Sequence, residues 1–182
     1  MPFCSNRLPV APICRIAITG PESTGKSWLA SSLAVHYNTV FVPEFARGYI
    51  DQLGRPYEYD DLLQIAKGQL SAEAEMEKQA NDWMFCDTEL IVIKIWSLHK
   101  YGKCHPLILE QIQKMQYDLY LLCDVDLPWQ CDEQREHPHL RQYFFNWYRK
   151  ELEDYGFSYS VVSGQGGGRL GSAVEAVERL AD

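Results

Sequence analysis

The sequence predicts an α/β fold of three layers, a parallel sheet with helices on both faces. Three observations lead there. Short apolar segments alternate with segments of helical periodicity along the whole chain. Those segments are short and mostly apolar, as expected of strands covered on both sides. No repeat and no Pro-, Gly- or Ser-rich linker divides the 182 residues, close to the usual size of one domain.

The first strand spans Ile13 to Thr19 and ends in glycine. A helix follows from Lys26 to Tyr37, with Leu29, Leu33 and Tyr37 on one face. Thr39 to Val42 is β-branched and aromatic, and Pro43 stops it as a second strand. A long helix runs from about Asp60, with Asp60 or Asp61 as N-cap, to about Ala80, with Leu62, Ile65, Ala66 and Leu70 in register. Trp83 to Cys86 is the third strand. A helix from about Glu89 to Lys100 follows, closed by Gly102, and another opens at Pro106 and runs to about Met115. Leu119 to Cys123 is the fourth strand. Pro138 opens a helix to Tyr155 that Gly156 ends. Ser158 to Val162 is the fifth strand, the glycine cluster 164–168 a loop, and Leu170 to Ala181 the last helix.

Composition narrows the function. Acidic residues outnumber basic ones 25 to 17, a net charge of -8, so a protein that works by neutralising nucleic-acid phosphates is excluded. No apolar run reaches the ~20 residues of a membrane span. The start, MPFCSNRLPVAPICR, has three prolines and no charged-then-apolar order, unlike a secretory signal. A cytoplasmic protein without nucleic-acid or membrane partners is expected. Its six cysteines, Cys4, Cys14, Cys86, Cys104, Cys123 and Cys131, show no CxxC pair, which favours reduced thiols, with Cys14, Cys86 and Cys123 buried, over disulfides. Cys104 beside His105, and Cys131 near His137 and His139, offer metal-ligand types but lack paired spacing.

The decisive motif is the first strand-to-helix turn. Residues 20–27 read GPESTGKS, a full match to GxxxxGK[ST] between a strand and a helix. Gly20 and Gly25 let the backbone curl so that its N–H groups converge on phosphate oxygens, and Glu22, Ser23, Thr24 and Trp28 belong to the same turn. The helix opening at Lys26 adds its positive end. Lys26 supplies a cation for the β- and γ-phosphates and the Ser27 hydroxyl a magnesium ligand. ATP and Mg2+ are the expected cofactors. A bare glycine turn with a surface lysine is the plain alternative.

A magnesium-holding acid should stand at the tip of a neighbouring strand. Asp87, in FCDTE, fits, with Asp124 and Asp126 after the fourth strand as competitors. Glu44, in VPEFARGY, ends the second strand, where a carboxylate can accept a hydroxyl proton. Arg47, one turn on, is placed to clamp a phosphate or hold that carboxylate; a surface Glu–Arg pair is the ordinary alternative. The polar stretch 124–141 carries Asp132, Arg135 and Arg141 and reads as a lid over the γ-phosphate, with Arg135 as transition-state cation. Gly164 to Gly168 would lie near the adenine.

Taken together, GPESTGKS, VPEFAR, DTE before a Trp-bearing helix, HKYGKCHP and YDLYLLCDVDLPWQCDEQR resemble the ribosylnicotinamide kinase domain of NadR and its stand-alone relatives, in order from about Ile13 onward. The resemblance implies a P-loop kinase fold with strand order 2-3-1-4-5. It also implies transfer of the γ-phosphoryl group of ATP to the 5′-hydroxyl of nicotinamide riboside. By position, Lys26 and Ser27 hold phosphate and magnesium, and Asp87 matches the first acid of the family's DTD. Glu44 and Arg47 match its acceptor-side segment, and Asp132 and Arg135 its lid. Asp87, Glu89 and Trp96 join Glu44 and Arg47 as expected substrate contacts.

Two departures stand out. Glu89 replaces the family's second Asp. The ring-stacking positions fall at Pro43 and near Glu75, which offer no ring face; Tyr49, Trp96 and Tyr101 are the nearby substitutes. Three readings therefore stay open: a nicotinamide riboside kinase, a kinase of another nucleoside or hydroxylated metabolite, and a P-loop ATPase or switch without acceptor. The expected organisation is one kinase domain over 1–182, the kinase module alone, with an arm at 1–12 and the lid at 124–141.

Overall fold

The computed structural model describes residues 13–114 and 117–180. The arm 1–12 and the expected helix ends at Met115 and Ala181 lie outside them. Five strands, β1 (Cys14–Thr19), β2 (Val40–Val42), β3 (Trp83–Asp87), β4 (Leu119–Cys123) and β5 (Tyr159–Val162), form one sheet in the order β2-β3-β1-β4-β5. Every pairing is parallel, with Ile16 opposite Phe85 on one side and Leu119 on the other. Parallel neighbours need crossovers, which the helices supply: α1 (Lys26–His36), α2 (Phe45–Leu53), α3 (Tyr59–Glu77), α4 (Leu90–Tyr101), α5 (Pro106–Lys114), α6 (Arg141–Tyr155) and α7 (Gly167–Glu178).

The period of two along each strand divides the core into two layers. Ile16, Ile18, Phe85 and Leu121 pack with Leu29 and Leu33 of α1 and Val177 of α7. Ala17, Met84, Cys86, Tyr120 and Leu122 pack instead with Ile65, Ile95, Ile112 and Tyr148 of α3 to α6. Each fully buried aliphatic or aromatic side chain contributes roughly 1.5–3 kcal/mol. All strand C-terminal ends consequently lie along one edge of the sheet, where the loops carrying the motif residues gather.

Four local expectations change. Residues Phe45–Leu53, given no element above, form α2, with Gly54 left-handed at its C-cap (φ 62°). The N-cap of α3 is Glu58, whose N–H donates to Asp61 Oδ2 at 2.7 Å; Asp61 acts from inside the first turn. α6 begins at Arg141, because residues after Pro138 make a turn closed by Leu140 N–H donating to His137 O. α7 begins at Gly167, so the helix takes in part of the glycine cluster. Cys86 and Cys123 are buried, Cys14 and Cys104 half-buried, and Cys131 exposed, all as thiols; burial holds Cys14 up at about 12 and Cys123 at about 11. No helix among the described residues is long and apolar enough to cross a membrane.

Candidate functional site: a phosphate cradle, two carboxylates and a lid

Between β1 and α1 the chain makes a tight loop that only its glycines permit. Gly20 has φ +129°, and a Cβ there would stand 3.0 Å from the Cys123 carbonyl oxygen of the adjacent strand. Gly25, at φ +79°, caps α1 from the left-handed region. Thr24 Oγ1 donates to Pro21 O at 2.8 Å, and the Lys26 ammonium folds back to donate to Gly20 O at 3.0 Å and Pro21 O at 2.8 Å. The loop's N–H groups, the helix N-terminus and the lysine thus meet at one place, which suits a polyphosphate.

Two arginines fix this cradle from behind. Arg169, in the first turn of α7, is wholly buried and donates to Thr24 O and Asp124 O at 3.0 Å and to Gly164 O and Asp126 Oδ1 at 2.7 Å. One side chain therefore ties the cradle, the loop after β4 and the loop after β5 together. Arg141 donates to Ser23 O at 3.0 Å and Leu127 O at 2.9 Å, so it is a buried clamp at the start of α6 and lines neither cavity described below. Sequence reasoning missed Arg169: a lone arginine among glycines carries no signal until the loops are brought together.

Of the three candidate acids beside the cradle, two are spoken for. Asp126 pairs with Arg169 and accepts from Gly164 N–H, and Asp124 accepts from Val125 N–H. Asp87, the last residue of β3, is 2 % exposed, and its Oδ1 has no hydrogen-bond partner among the described residues. Burial raises its pKa, with the Ser27 hydroxyl and the Lys26 ammonium pulling the other way. A buried oxygen without a partner next to Ser27 fits a magnesium ligand pair. Thr88 then turns the chain with φ +68°, an uncommon conformation for a β-branched residue, held by its N–H on Ile18 O at 3.0 Å. After that turn Glu89 is 1 % exposed, accepting from Thr19 Oγ1 at 2.9 Å and from Ile91 N–H at the start of α4. It was expected to touch substrate; the structure makes it the helix cap beneath the site and lines neither cavity with it.

Glu44 stands at the other side, as the residue before α2. Burial raises its pKa; Lys26 opposes this, Asp87 adds to it, and Arg47 and Arg135 oppose it. Its position is set by its neighbour. Phe45 donates its N–H to the buried Gln69 Oε1 at 3.0 Å, and its ring lies so close to Gly68 of α3 that a Cβ there would be 2.1 Å away. Gly68 is what lets α2 settle on α3 and present Glu44.

The stretch after β4 folds across these residues. Asp132 pairs with Arg47 at 2.5 Å, Gln134 donates to Asp51 and to Arg47 O, and Arg135 to Gln130 O at 2.8 Å. The cradle grips the same stretch: Gln130 N–H donates to Ser23 Oγ at 2.8 Å, and Glu136 and His137 N–H donate to Glu22 at 3.2 Å. Two cavities result. One, of about 620 Å³, is lined by residues 22–28 with Glu44, Arg47, Arg135, Trp96 and Gly166. The other, of about 400 Å³, lies between α4, the loop before α3, α6 and the lid, and shares Glu22, Trp96 and Gln134 with the first. Of the substitutes for the missing rings, Trp96 lines both; Tyr49 is turned to Asp61 (3.0 Å) and Tyr101 to the Tyr57 carbonyl (3.0 Å). No group of three or more His, Cys, Asp or Glu side chains among the described residues has metal-site geometry.

A parallel sheet in this order, with the glycine-and-lysine loop after its central strand, defines a P-loop domain of the kinase type. The chain belongs to the AAA domain family AAA_28, which matches residues 15–169. It is 32 % identical over 121 residues to the trifunctional NAD biosynthesis/regulator protein NadR of Salmonella typhimurium and to that of Escherichia coli K12. The match covers 64 % of this chain and 30 % of those relatives, so the chain spans about a third of their length. The fold is shared with NadR solved in complex with NR (TM-score 0.80, 23 % identity) and with NAD and AMP-PNP (0.76, 23 %); each covers 92 % of this chain and about half of the other. It is also shared with thymidylate kinase from Ehrlichia chaffeensis (0.64, 13 % identity), over 93 % of this chain and 100 % of that one.

Proposed function

We propose that the protein is an ATP- and magnesium-dependent kinase that moves the γ-phosphoryl group to the 5′-hydroxyl of nicotinamide riboside, giving nicotinamide mononucleotide for NAD salvage in the cytoplasm. One observation carries this reading. Lys26, Ser27, Arg47 and Arg135 stand with Glu44 around a single cavity, and the buried Asp87 lies beside Ser27. The likeness to NadR, whose solved complexes hold NR and AMP-PNP, supports the choice of donor and acceptor.

Each side chain then has a task. The backbone of residues 20–25 and the start of α1 bind the phosphates, and Lys26 neutralises charge that builds on the transferred group. Ser27 and Asp87 would hold the magnesium, which when bound supplies positive charge to the phosphate oxygens. Glu44, its pKa raised by burial, takes the acceptor's hydroxyl proton. The hydroxyl oxygen forms the new bond to the γ-phosphorus as the bond to the β-bridging oxygen breaks, leaving ADP. Arg47, Asp132 and Arg135 hold the lid, residues 124–141, over the reacting groups and keep water out. Trp28, with Gln165 and Gly166, borders the same cavity and suits the adenine.

The absence of rings at Pro43 and Glu75 favours a second reading, a kinase of another nucleoside or hydroxylated metabolite. ADP release measured with nicotinamide riboside, adenosine, cytidine, uridine and no acceptor separates these. Release that needs nicotinamide riboside supports the first, release with another acceptor the second. Steady release with none would leave a P-loop ATPase or switch instead.

A further inference from the structure

We infer that Gln69, its amide oriented by the buried carboxylate of Glu73, fixes the start of α2 and so aims Glu44 into the phosphate cavity. Gln69 is thereby a positioning residue for the transfer. This rests on the kinase reading above and extends it to a side chain that lines neither cavity.

A helix begins with N–H groups that have no partner inside it, and the residue before it commonly supplies an acceptor. Glu44 holds that place before α2, but its side chain makes no capping bond and lines the phosphate cavity instead. The acceptor comes from another helix. Gln69 of α3, 2 % exposed, takes the Phe45 N–H on its Oε1 at 3.0 Å. α2 has nine residues, of which Ala46 alone is buried, so its packing is thin. The bond to Gln69 and the seat of Phe45 on Gly68 together hold its first turn.

An amide side chain can present either end, and Glu73 decides which. It lies one turn further along α3 and is 1 % exposed. It accepts from Arg15 Nη2 at 2.6 Å and from the Tyr117 hydroxyl at 2.8 and 2.9 Å, and Gln69 Nε2 donates to it at 3.5 Å. An ionised carboxylate has no hydrogen to give. A flipped Gln69 would set its oxygen against that carboxylate and its N–H against the Phe45 N–H, two repulsions in a buried place. Burial pushes the Glu73 carboxyl above its ordinary range, while the bonds from Tyr117 and Arg15 pull it back. The other titratable groups bearing on it are Cys86 of β3, Tyr120 of β4 and Glu89 before α4.

Two variants test this on the full chain. Gln69→Met keeps the volume and removes both hydrogen bonds. With nicotinamide riboside, or whichever acceptor yields ADP, its kcat should fall at least about tenfold while the KM for ATP stays within about twofold. Amide exchange at Phe45, followed by NMR, should quicken at least about tenfold. Gln69→Glu keeps an oxygen for Phe45 but bridges to Glu73 only while the two carboxyls share a proton. Relative to the parent protein at the same pH, its kcat should lie within about threefold near pH 6 and at least about tenfold below near pH 9. A merely structural Gln69 would lower stability without this pH-dependent rescue. Unchanged kcat or unchanged Phe45 exchange in folded Gln69→Met, or a Gln69→Glu ratio flat with pH, overturns the inference and leaves the kinase standing. If no acceptor yields ADP with the parent protein, the kinase reading fails, and Phe45 exchange in Gln69→Met still decides whether Gln69 holds α2.

Discussion

The two sides of the site are built in opposite ways. The phosphate cradle is one run of chain, residues 20–27, shaped by backbone conformation and locked by carbonyls accepting from Lys26, Arg141 and Arg169. The wall facing it is assembled from α2, α4, the lid and α6, and held by side chains far apart in sequence, such as Arg47 with Asp132 and Phe45 with Gly68. Backbone-built sites concentrate function in few residues, whereas assembled walls spread it over many contacts. Single substitutions should therefore hurt the cradle more than the wall.

Lys26→Ala is the severest test of that contrast. It should lower turnover at least ~100-fold, about 2.7 kcal/mol of transition-state stabilisation, while the melting temperature moves by only a few degrees. Survival of turnover would break the comparison at its centre. Arg169→Met should raise the KM for ATP about tenfold and destabilise the fold by roughly 1–3 kcal/mol, because it leaves three carbonyls without their donor and the exposed Asp126 without its cation. A urea titration beside steady-state kinetics reads both.

Glu89 joins the two regions, bonded to Thr19 at the entry to the cradle and capping the helix that carries Trp96. Burial lifts its pKa to about 7 from an ordinary 4.5. Protonation therefore favours the folded state: its contribution is complete below about pH 4.5 and is lost as pH rises through 7. Relative to Glu89→Gln, which does not titrate, the parent protein should lose roughly 1–3 kcal/mol across that window. A parent–variant difference that is flat with pH would show that Glu89 is not buried as a carboxyl group.

On the assembled wall the effects shrink. Gly68→Ala forces Phe45 aside and should cost about 1–3 kcal/mol, with turnover falling more than ATP affinity because Glu44 moves with α2. Equal loss in both would show that Glu44 is not set by this contact. Least of all, a double-mutant cycle on Arg47 and Asp132 should return ~0.2–1 kcal/mol of coupling in stability, since Arg47 is 51 % exposed. A larger coupling would make the lid closure as rigid as the cradle.

Much of this was legible in advance for identifiable reasons. All five strands showed as short, largely apolar runs, and the cradle as a motif whose residue types are dictated by phosphate geometry. α2 was overlooked although Phe45, Tyr49 and Leu53 repeat at helical spacing before Gly54, because the charged and glycine residues between them masked a short amphipathic face. Glu89 looked like a site residue because it follows Asp87 in DTE, yet Thr88 reverses the chain between them. Arg141, grouped with the lid by its place in sequence, became a clamp through its bond to Ser23 O.

What the sequence settled alone is whatever depends on neighbours in the chain: strand and helix periodicity, the loop that must curl at Gly20 and Gly25, and the ammonium and hydroxyl that follow it. Tertiary structure decided what depends on distance across the sheet. It left Asp87 Oδ1 without a partner among the described residues while Asp124 and Asp126 are bonded elsewhere, made Arg169 the hub of three loops, and brought Tyr57 and Trp96 to one cavity. Hydrogen bonds and ring contacts of this kind join residues whose separation along the chain carries no periodic signal, so only the folded packing reveals them.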